Sequence, residues 1–398
     1  MAPLPSSSAQ APPVAVILLP IMAAVLAGFV VTGAALPVLP LHVNRDLGFG
    51  TFVVGLVAGA QFAASVITRI WSGACSDANG GKRSVVLGLA AAAVAGLLYL
   101  LSLALGRSPI LSVAILLVGR AVLGGAESFI ITGGVSWGLA MVGSGHAGKV
   151  IAWIGTAMFA SLAFGGPLGT MLFASHGFAA IAAVTTLLPL LVLLLLLRTP
   201  SPSPPSARTK SAFGSVIAAV WLPGLGAALS SIGYCAILAF GSLLYADHGW
   251  QPVWQAFTAF GVALIAARML FGHLPDRLGG ARIAVVFVLV QSAGLALIGL
   301  ARSPATAFAG AALAGLGYSL VYPGLGVEAV RGTSAENRGL AMGIYTVFLD
   351  VAMAAASPAL GWIAGREGLS AAFLGSAGVT LCATGIALHL AHSARGLR

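Results

Sequence analysis

Three charged residues stand where charge is expensive. Arg120 and Glu127 lie in the stretch GRAVLGGAESF, and Asp350 lies in TVFLDVAMA, both inside long apolar runs. At mid-bilayer a charge costs about 2.5–3.5 kcal/mol even on a lenient scale, so such residues face a water-filled path or one another. Arg120 and Glu127 are two helical turns apart and share one helix face. Burial favours the neutral form of a carboxylate, and a nearby cation favours the charged form. A carboxylate whose surroundings alternate between these can take up and release a proton. Glu127 is therefore the primary candidate for a proton carrier, with Arg120 tuning it. Asp350 has no basic residue nearby in its own segment, so burial is expected to govern it, and it is the second candidate. The competing reading is a buried structural pair that orders a bundle.

Other chemistry finds little support. GSGHAGKV (Gly143–Val150) nearly spells a phosphate-binding loop, but no Ser or Thr follows Lys149 to hold magnesium, and no strand precedes it. Cys75, Cys235 and Cys382 are far apart, the seven His are scattered, and no metal spacing or nucleophile–His–acid set is present. No cofactor, metal or enzymatic activity is expected.

The elements that position the three charges follow from composition. The chain has 398 residues, 59% hydrophobic and only 7% charged, against about 25% charged in ordinary soluble domains. Lipid tolerates such a chain provided every backbone polar group is paired internally, in helices or a closed barrel. Barrel strands alternate apolar and polar, whereas the apolar runs here are continuous. Spanning helices of about 20 apolar residues are expected at Ile17–Leu41, Phe52–Trp71, Val85–Leu105, Ile110–Ile131, Val150–Phe173, Ile181–Leu197, Val216–Leu244, Trp254–Phe271, Ile283–Leu300, Thr306–Val327, Ala341–Ala364 and Ala371–Leu390. The N-terminal stretch has no Lys or Arg before the first run, so that run reads as an uncleaved helix.

The net charge of +10 is explained by topology. With the N-terminus in the cytoplasm, cytoplasmic segments carry Lys82, Arg83, Lys149, Arg198, Arg208, Lys210, Arg277, Arg282, Arg331, Arg338, Arg395 and Arg398. The opposite side carries Arg45, Arg107, Arg302 and Arg366, and Arg69, Arg120 and Arg268 fall within helices. Twelve against four is the positive-inside pattern, and nucleic-acid binding is not expected. The Pro- and Ser-rich stretch RTPSPSPPSARTK (Arg198–Lys210) has linker composition. The expected organisation is a disordered tail at 1–13, a six-helix bundle at 14–197, a cytoplasmic linker at 198–213, a second bundle at 214–392 and a tail at 393–398.

The two bundles repeat. Gly73, Asp77, Gly80, Gly81 and Arg83 recur 199 positions on as Gly272, Asp276, Gly279, Gly280 and Arg282, and Arg69 recurs as Arg268. A fixed offset near half the chain length marks a duplicated unit, and parallel six-helix repeats are a known transporter architecture.

This pattern resembles the Major Facilitator Superfamily over essentially the whole chain. Gly73, Asp77, Gly80, Lys82 and Arg83 match the family's signature loop, with Ala78 where a base is usual; the second copy has Arg277 there. Arg120 and Gly124 resemble the family's intramembrane Arg–Gly pattern. Gly166, Pro167 and Gly169 in FGGPLG resemble the Gly-Pro motif of proton-driven antiporters, with the second Gly one residue early. SGHAGKVIAWIG (Ser144–Gly155), GYSLVYPGLGVEAV (Gly317–Val330) and YTVFLDV (Tyr345–Val351) resemble the YhhS/YfcJ group of bacterial inner-membrane permeases.

The resemblance implies a twelve-helix, all-α membrane fold of two pseudo-symmetric bundles in the bacterial inner membrane, both termini cytoplasmic and the chain a monomer. It also implies alternating access driven by the proton gradient. Efflux of a small organic molecule is the leading expectation, and proton-coupled uptake is the alternative. A membrane-embedded enzyme or sensor is the non-transport alternative. In the family, an Asp at the Asp77 position meets the start of the eleventh helix, here Arg338–Gly343, and closes the cytoplasmic gate; a plain helix cap is the other reading. Cavity candidates are Thr32, Ser128, Ser230, Ser231, Tyr234, Tyr318, Ser319 and Tyr322, with Gln61, Trp137 and Trp153 in second rank. A small, partly apolar or zwitterionic cargo is expected.

Overall fold

The computed structural model describes residues 14–143, 146–196, 198–199, 213–333 and 337–393. The expected tails and most of the linker lie outside the described residues. Twelve principal helices are present: α1 Val14–Ala35, α2 Thr51–Asn79, α3 Gly81–Ala104, α4 Pro109–Val142, α5 Ala147–His176, α6 Phe178–Leu196, α7 Phe213–Asp247, α8 Gln255–Phe271, α9 Gly280–Gly299, α10 Pro304–Arg331, α11 Arg338–Glu367 and α12 Leu369–Ser393. α1 continues through Leu39–Leu41 into a π-helical turn, His42–Asp46. All but α8 are long and apolar enough to cross a membrane, and α8 has 17 residues. No strand occurs among the described residues. The twelve-helix expectation therefore stands, although several helices outrun their apolar stretches. α4 continues to Val142 rather than stopping near Ile131. In lipid a helix is the cheapest way to pair the backbone, so it persists through less apolar sequence.

Glycine sets the α2–α3 corner and its repeat. Gly80 has φ of 85° and Gly279 has φ of 95°, a left-handed region that side chains disfavour. The repeat is also visible in whole helices. Helices α1–α3 match α7–α9 at the 199-residue offset, whereas α4–α6 match α10–α12 at 191, as from Pro167 to Pro358. Matching helices pack alike: α3 on α4, α2 on α4 and α1 on α5 recur as α9 on α10, α8 on α10 and α7 on α11. Small residues allow these approaches in lipid. A Cβ on Gly124 would strike the Gln61 backbone, and one on Gly315 would strike the matching Phe260 backbone.

The halves meet along two seams, α2 against α11 and α5 against α8. We call the end bearing Gly80 and Gly279 the linker end and the opposite one the far end. At the far end the seam is tight. Thr51 Oγ1 donates to the Gly361 carbonyl at 2.7 Å, and Arg45 Nη2 donates to the Ala246 carbonyl at 2.9 Å. A Cβ on Gly55 would lie 2.8 Å from Pro358 Cα, and one on Gly59 would lie 2.9 Å from the Ala354 carbonyl. Buried apolar residues of both halves, among them Leu39, Val54, Phe240 and Leu360, form one cluster there. Towards the linker end the core divides into one cluster per half, and Gly73 and Gly343 both face open space. The molecule is sealed at the far end and parted at the linker end. Leu187, Leu191, Leu194 and Leu195 are exposed on the outside of α6, where lipid is their solvent.

Candidate functional site

Glu127 lies near the middle of α4, where α1 and α2 converge on it. Thr32 Oγ1 of α1 donates to its Oε1, and Gln61 Nε2 of α2 donates to its Oε2 at 2.7 Å. Both donors are buried, as is Arg120. Arg120 shares the helix face with Glu127 yet makes no ion pair with it: two helical turns, about 10 Å at 1.5 Å per residue, separate the Cα atoms. The guanidinium lies 3.5 Å from the Tyr99 hydroxyl, and its Nε has no partner. It lines a small cavity at the far-end seam with Leu36, Val57, Ala58, Leu238 and Ala239. In this conformation Arg120 and Glu127 form no direct ion pair.

Asp350 is a buried carboxylate of α11. A basic partner exists, supplied by the other half. Arg69 of α2 donates to Asp350 Oδ2 from Nε at 2.9 Å and from Nη2. The side chain of a helical residue leans towards the helix N-terminus, so Arg69 points towards the far end and spans the widening gap to α11. Nothing in the Asp350 segment could reveal a partner 281 residues away. The signal that existed was the recurrence of Arg69 as Arg268.

Arg268 of α8 has no such partner. Its Nη2 donates to the Ser319 carbonyl at 3.2 Å, and its guanidinium carbon lies 4.5 Å from the ring centre of Phe159 on α5. No carboxylate pairs with it among the described residues. Around it stand aromatic rings. Tyr234 stacks on Tyr318 at 4.9 Å with 8° between planes, and on Phe260 at 5.5 Å. Ser231 Oγ and the Tyr318 hydroxyl share a hydrogen bond at 3.3 Å, and Tyr322 and Thr346 share one at 3.2 Å.

The cavity candidates thus separate. Thr32, Ser231, Tyr234, Tyr318 and Tyr322 gather at the junction of the halves with Glu127 and Asp350. Ser230 instead donates to Gln291 of α9, and Ser128 and Ser319 donate to backbone carbonyls within their own half. Ser230 and Ser128 thereby tie neighbouring helices together, whereas Ser319 bonds to Leu316 within α10. Trp137 is buried in the core of the first half, and Trp153 is partly exposed on α5. Gln61, placed in second rank from sequence, touches Glu127 directly.

At the linker end Lys82 Nζ donates to the Thr199 carbonyl at 2.6 Å, and Arg83 Nη1 donates to Asn79 Oδ1 at 3.3 Å. Asp77 is exposed and so is Arg338. The expected contact of Asp77 with Arg338–Gly343 is not made in this conformation, because the halves are parted there. Arg277 and Arg282 are exposed in the second copy, and the Asp276 side chain lies outside the described residues. A residue the motifs did not suggest acts here: Glu328 accepts from the Ala281 amide at 3.2 Å and from Arg331 at 2.9 Å, capping α9. In α5 the Gly-Pro motif serves close packing. A Cβ on Gly169 would strike the Ala34 backbone of α1, and one on Gly166 would lie 3.4 Å from Phe257 of α8.

Two pseudo-repeated bundles with a buried polar centre at their junction define a secondary-transporter architecture. Comparison with known proteins places it. The Major Facilitator Superfamily model matches residues 21–257 and again 225–395. An MFS-type transporter of Salmonella typhimurium is 39% identical over 370 residues, covering 93% of this chain and 95% of that protein. The MFS-type transporter YhhS of Escherichia coli K12 is 35% identical over 358 residues, covering 90% of this chain and 88% of YhhS. The chain belongs to the Major Facilitator Superfamily and is a membrane transporter. Among solved structures the D-xylose-proton symporter is similar in fold, with a TM-score of 0.74 at 14% identity over 94% of this chain and 96% of that one. The nucleoside transporter NupG has the same TM-score at 13% identity, over 94% and 99%.

Proposed function

We propose that this transporter exports a small organic molecule from the bacterial cytoplasm in exchange for protons, with Glu127 carrying the proton. The observation that supports this is the shell around Glu127. Its two partners, a hydroxyl and a primary amide, can each donate or accept. Charged Glu127 accepts from both. Protonated Glu127 can donate to the Gln61 amide oxygen, which is buried and has no partner, once that amide turns over. The same shell therefore suits both protonation states. Asp350 is different, because Arg69 can only donate and suits the charged form alone. We assign the proton to Glu127 and a latching role between the halves to the Arg69–Asp350 pair. Arg120 would act on Glu127 through space.

With both termini in the inner-membrane cytoplasm, the linker end faces inward, and the present shape is open to the cytoplasm. The halves would move against each other as a monomer in the bilayer, and Asp77 would meet the start of α11 when the cytoplasmic side closes. The Gly-Pro motif in α5 and the likeness to an efflux-permease group support export. The test is Glu127→Gln in proteoliposomes with an imposed pH gradient. Gradient-driven accumulation should fall to background while substrate exchange without a gradient persists. Accumulation at the wild-type rate would remove Glu127 from the coupling step, and accumulation in the direction of proton entry would make the protein an uptake symporter.

A further inference from the structure

The repeat sets unlike chemistry at matching positions. At the 199-residue offset Thr32 matches Ser231 and Gln61 matches Phe260; at the 191-residue offset Glu127 matches Tyr318. The geometry matches as well, since Thr32 bonds to Glu127 and Ser231 bonds to Tyr318. Where the first half holds an acid among polar donors, the second half holds a phenol in an aromatic stack. The seams show the same substitution. Arg69 matches Arg268, and Asp350 matches Phe159, so the ion pair of one seam is an arginine over a ring in the other.

Charge completes the argument. At the junction stand three guanidinium groups, Arg69, Arg120 and Arg268, and two carboxylates, Glu127 and Asp350. Arg69 is neutralised by Asp350, and Arg120 is walled in by apolar side chains and Tyr99. Arg268 is partly exposed, and no carboxylate pairs with it among the described residues. A guanidinium carries five donors in a fork suited to carboxylate, and here Nη2 donates to the Ser319 carbonyl. A largely buried cation without a counter-charge is costly unless something pairs with it.

We propose that Arg268 and the Tyr234–Tyr318–Phe260 stack form the substrate site, and that it takes an organic anion. The carboxylate would lie on Arg268 and the apolar body against the rings. This rests on the transport reading above and narrows its cargo from partly apolar or zwitterionic molecules to carboxylates. The proton and the substrate then belong to different halves.

Binding to the purified full-length protein by titration calorimetry, with no gradient, tests this apart from coupling. The probes are phenylbutyrate, phenylbutanamide and phenylbutylamine, which share one body and differ in charge. Phenylbutyrate should bind at least about tenfold more tightly than the amide, the range expected for a charge-assisted hydrogen bond, and the amine should bind weakest. Arg268→Gln should lose that preference at least about tenfold, and Arg268→Lys, which keeps the charge but not the fork, should retain part of it. Unchanged elution and thermal midpoint would show that both variants are folded. Equal binding of the amide or the amine would overturn the proposal, as would no binding of phenylbutyrate or an unaffected Arg268→Gln. Binding is read with no gradient and no net proton movement, so a failure of proton coupling leaves this result standing.

Discussion

Gly55→Leu should prevent the far end from sealing. A Cβ at position 55 would lie 2.8 Å from Pro358 Cα and from Ser357 C, with the Ser357 carbonyl oxygen nearer still. These are backbone atoms of α11, so no rotamer change relieves them. α2 and α11 must part by several tenths of an ångström for Ala and further for Leu. Forcing extra methylenes into a packed seam costs about 1–3 kcal/mol. Only the far-end-closed state contains the clash, so the whole cost enters the conformational equilibrium. At about 1.4 kcal/mol per tenfold, the ratio of far-end-open to far-end-closed molecules should rise roughly five- to 150-fold. The assay is electron–electron distance measurement between labels at Arg107→Cys and Arg302→Cys in a background with Cys75, Cys235 and Cys382 replaced by Ser. A long-distance population should appear or grow. Gly50→Leu is the control, because Gly50 faces open space and should leave the distribution unchanged. If Gly55→Leu is folded and its distances equal those of the wild type, the seam at Gly55 is not what closes the far end.

Three further outcomes are expected. Asp350→Asn leaves Arg69 without its counter-charge; removing one partner of a buried pair costs about 3–5 kcal/mol, and the partial exposure of Arg69 places this case near the lower bound. Thermal midpoints in detergent should fall for Asp350→Asn and recover in part for Arg69→Gln with Asp350→Asn; equal midpoints for the single and double variants would mean the pair carries no coupling. Asp77→Asn should move the population further towards molecules open at the linker end, read by labels across that end, because Asp77 makes no contact in the present state; an unchanged distribution leaves Asp77 as an ordinary helix-end residue. An impermeant thiol reagent should not label Ser203→Cys in intact cells, and strong labelling would reverse the topology.

Sequence reached the helices and the repeat because both are written in local pattern. Continuous apolar runs mark the helices, and Gly73, Asp77 and Arg83 recurring at a constant spacing mark the repeat. Glu127 was legible for a similar reason, since a lone acid in an apolar run advertises its cost. The partners of these charges were not legible. Arg69 reaches Asp350 across the junction of the halves, and Gln61 reaches Glu127 from another helix. Helix rotation decides such meetings, and the sequence of one helix does not encode how its neighbour is turned. The serines show the same limit. Ser230 and Ser231 are adjacent in sequence, yet one is committed to Gln291 and the other meets Tyr318. The shift of offset from 199 to 191 also hid the match of Glu127 with Tyr318, which the equivalent backbone contacts of Gly124 and Gly315 make plain.

The two seams between the halves are of unequal strength. The α2–α11 seam has an ion pair, a hydrogen bond to a backbone carbonyl and glycines in backbone contact. The α5–α8 seam has an arginine over a phenyl ring, a glycine with room for a methyl group beside Phe257, and one closer approach, where a Cβ on Gly261 would lie 3.1 Å from Ala163 Cβ. A body held firmly along one edge and loosely along the other turns about the firm edge, as a door does, rather than tipping about its middle. The wider gape then falls along α5 and α8. Water arriving through that gape would wet Arg268 before Glu127, so solvation on one edge of the cavity would begin ahead of the other.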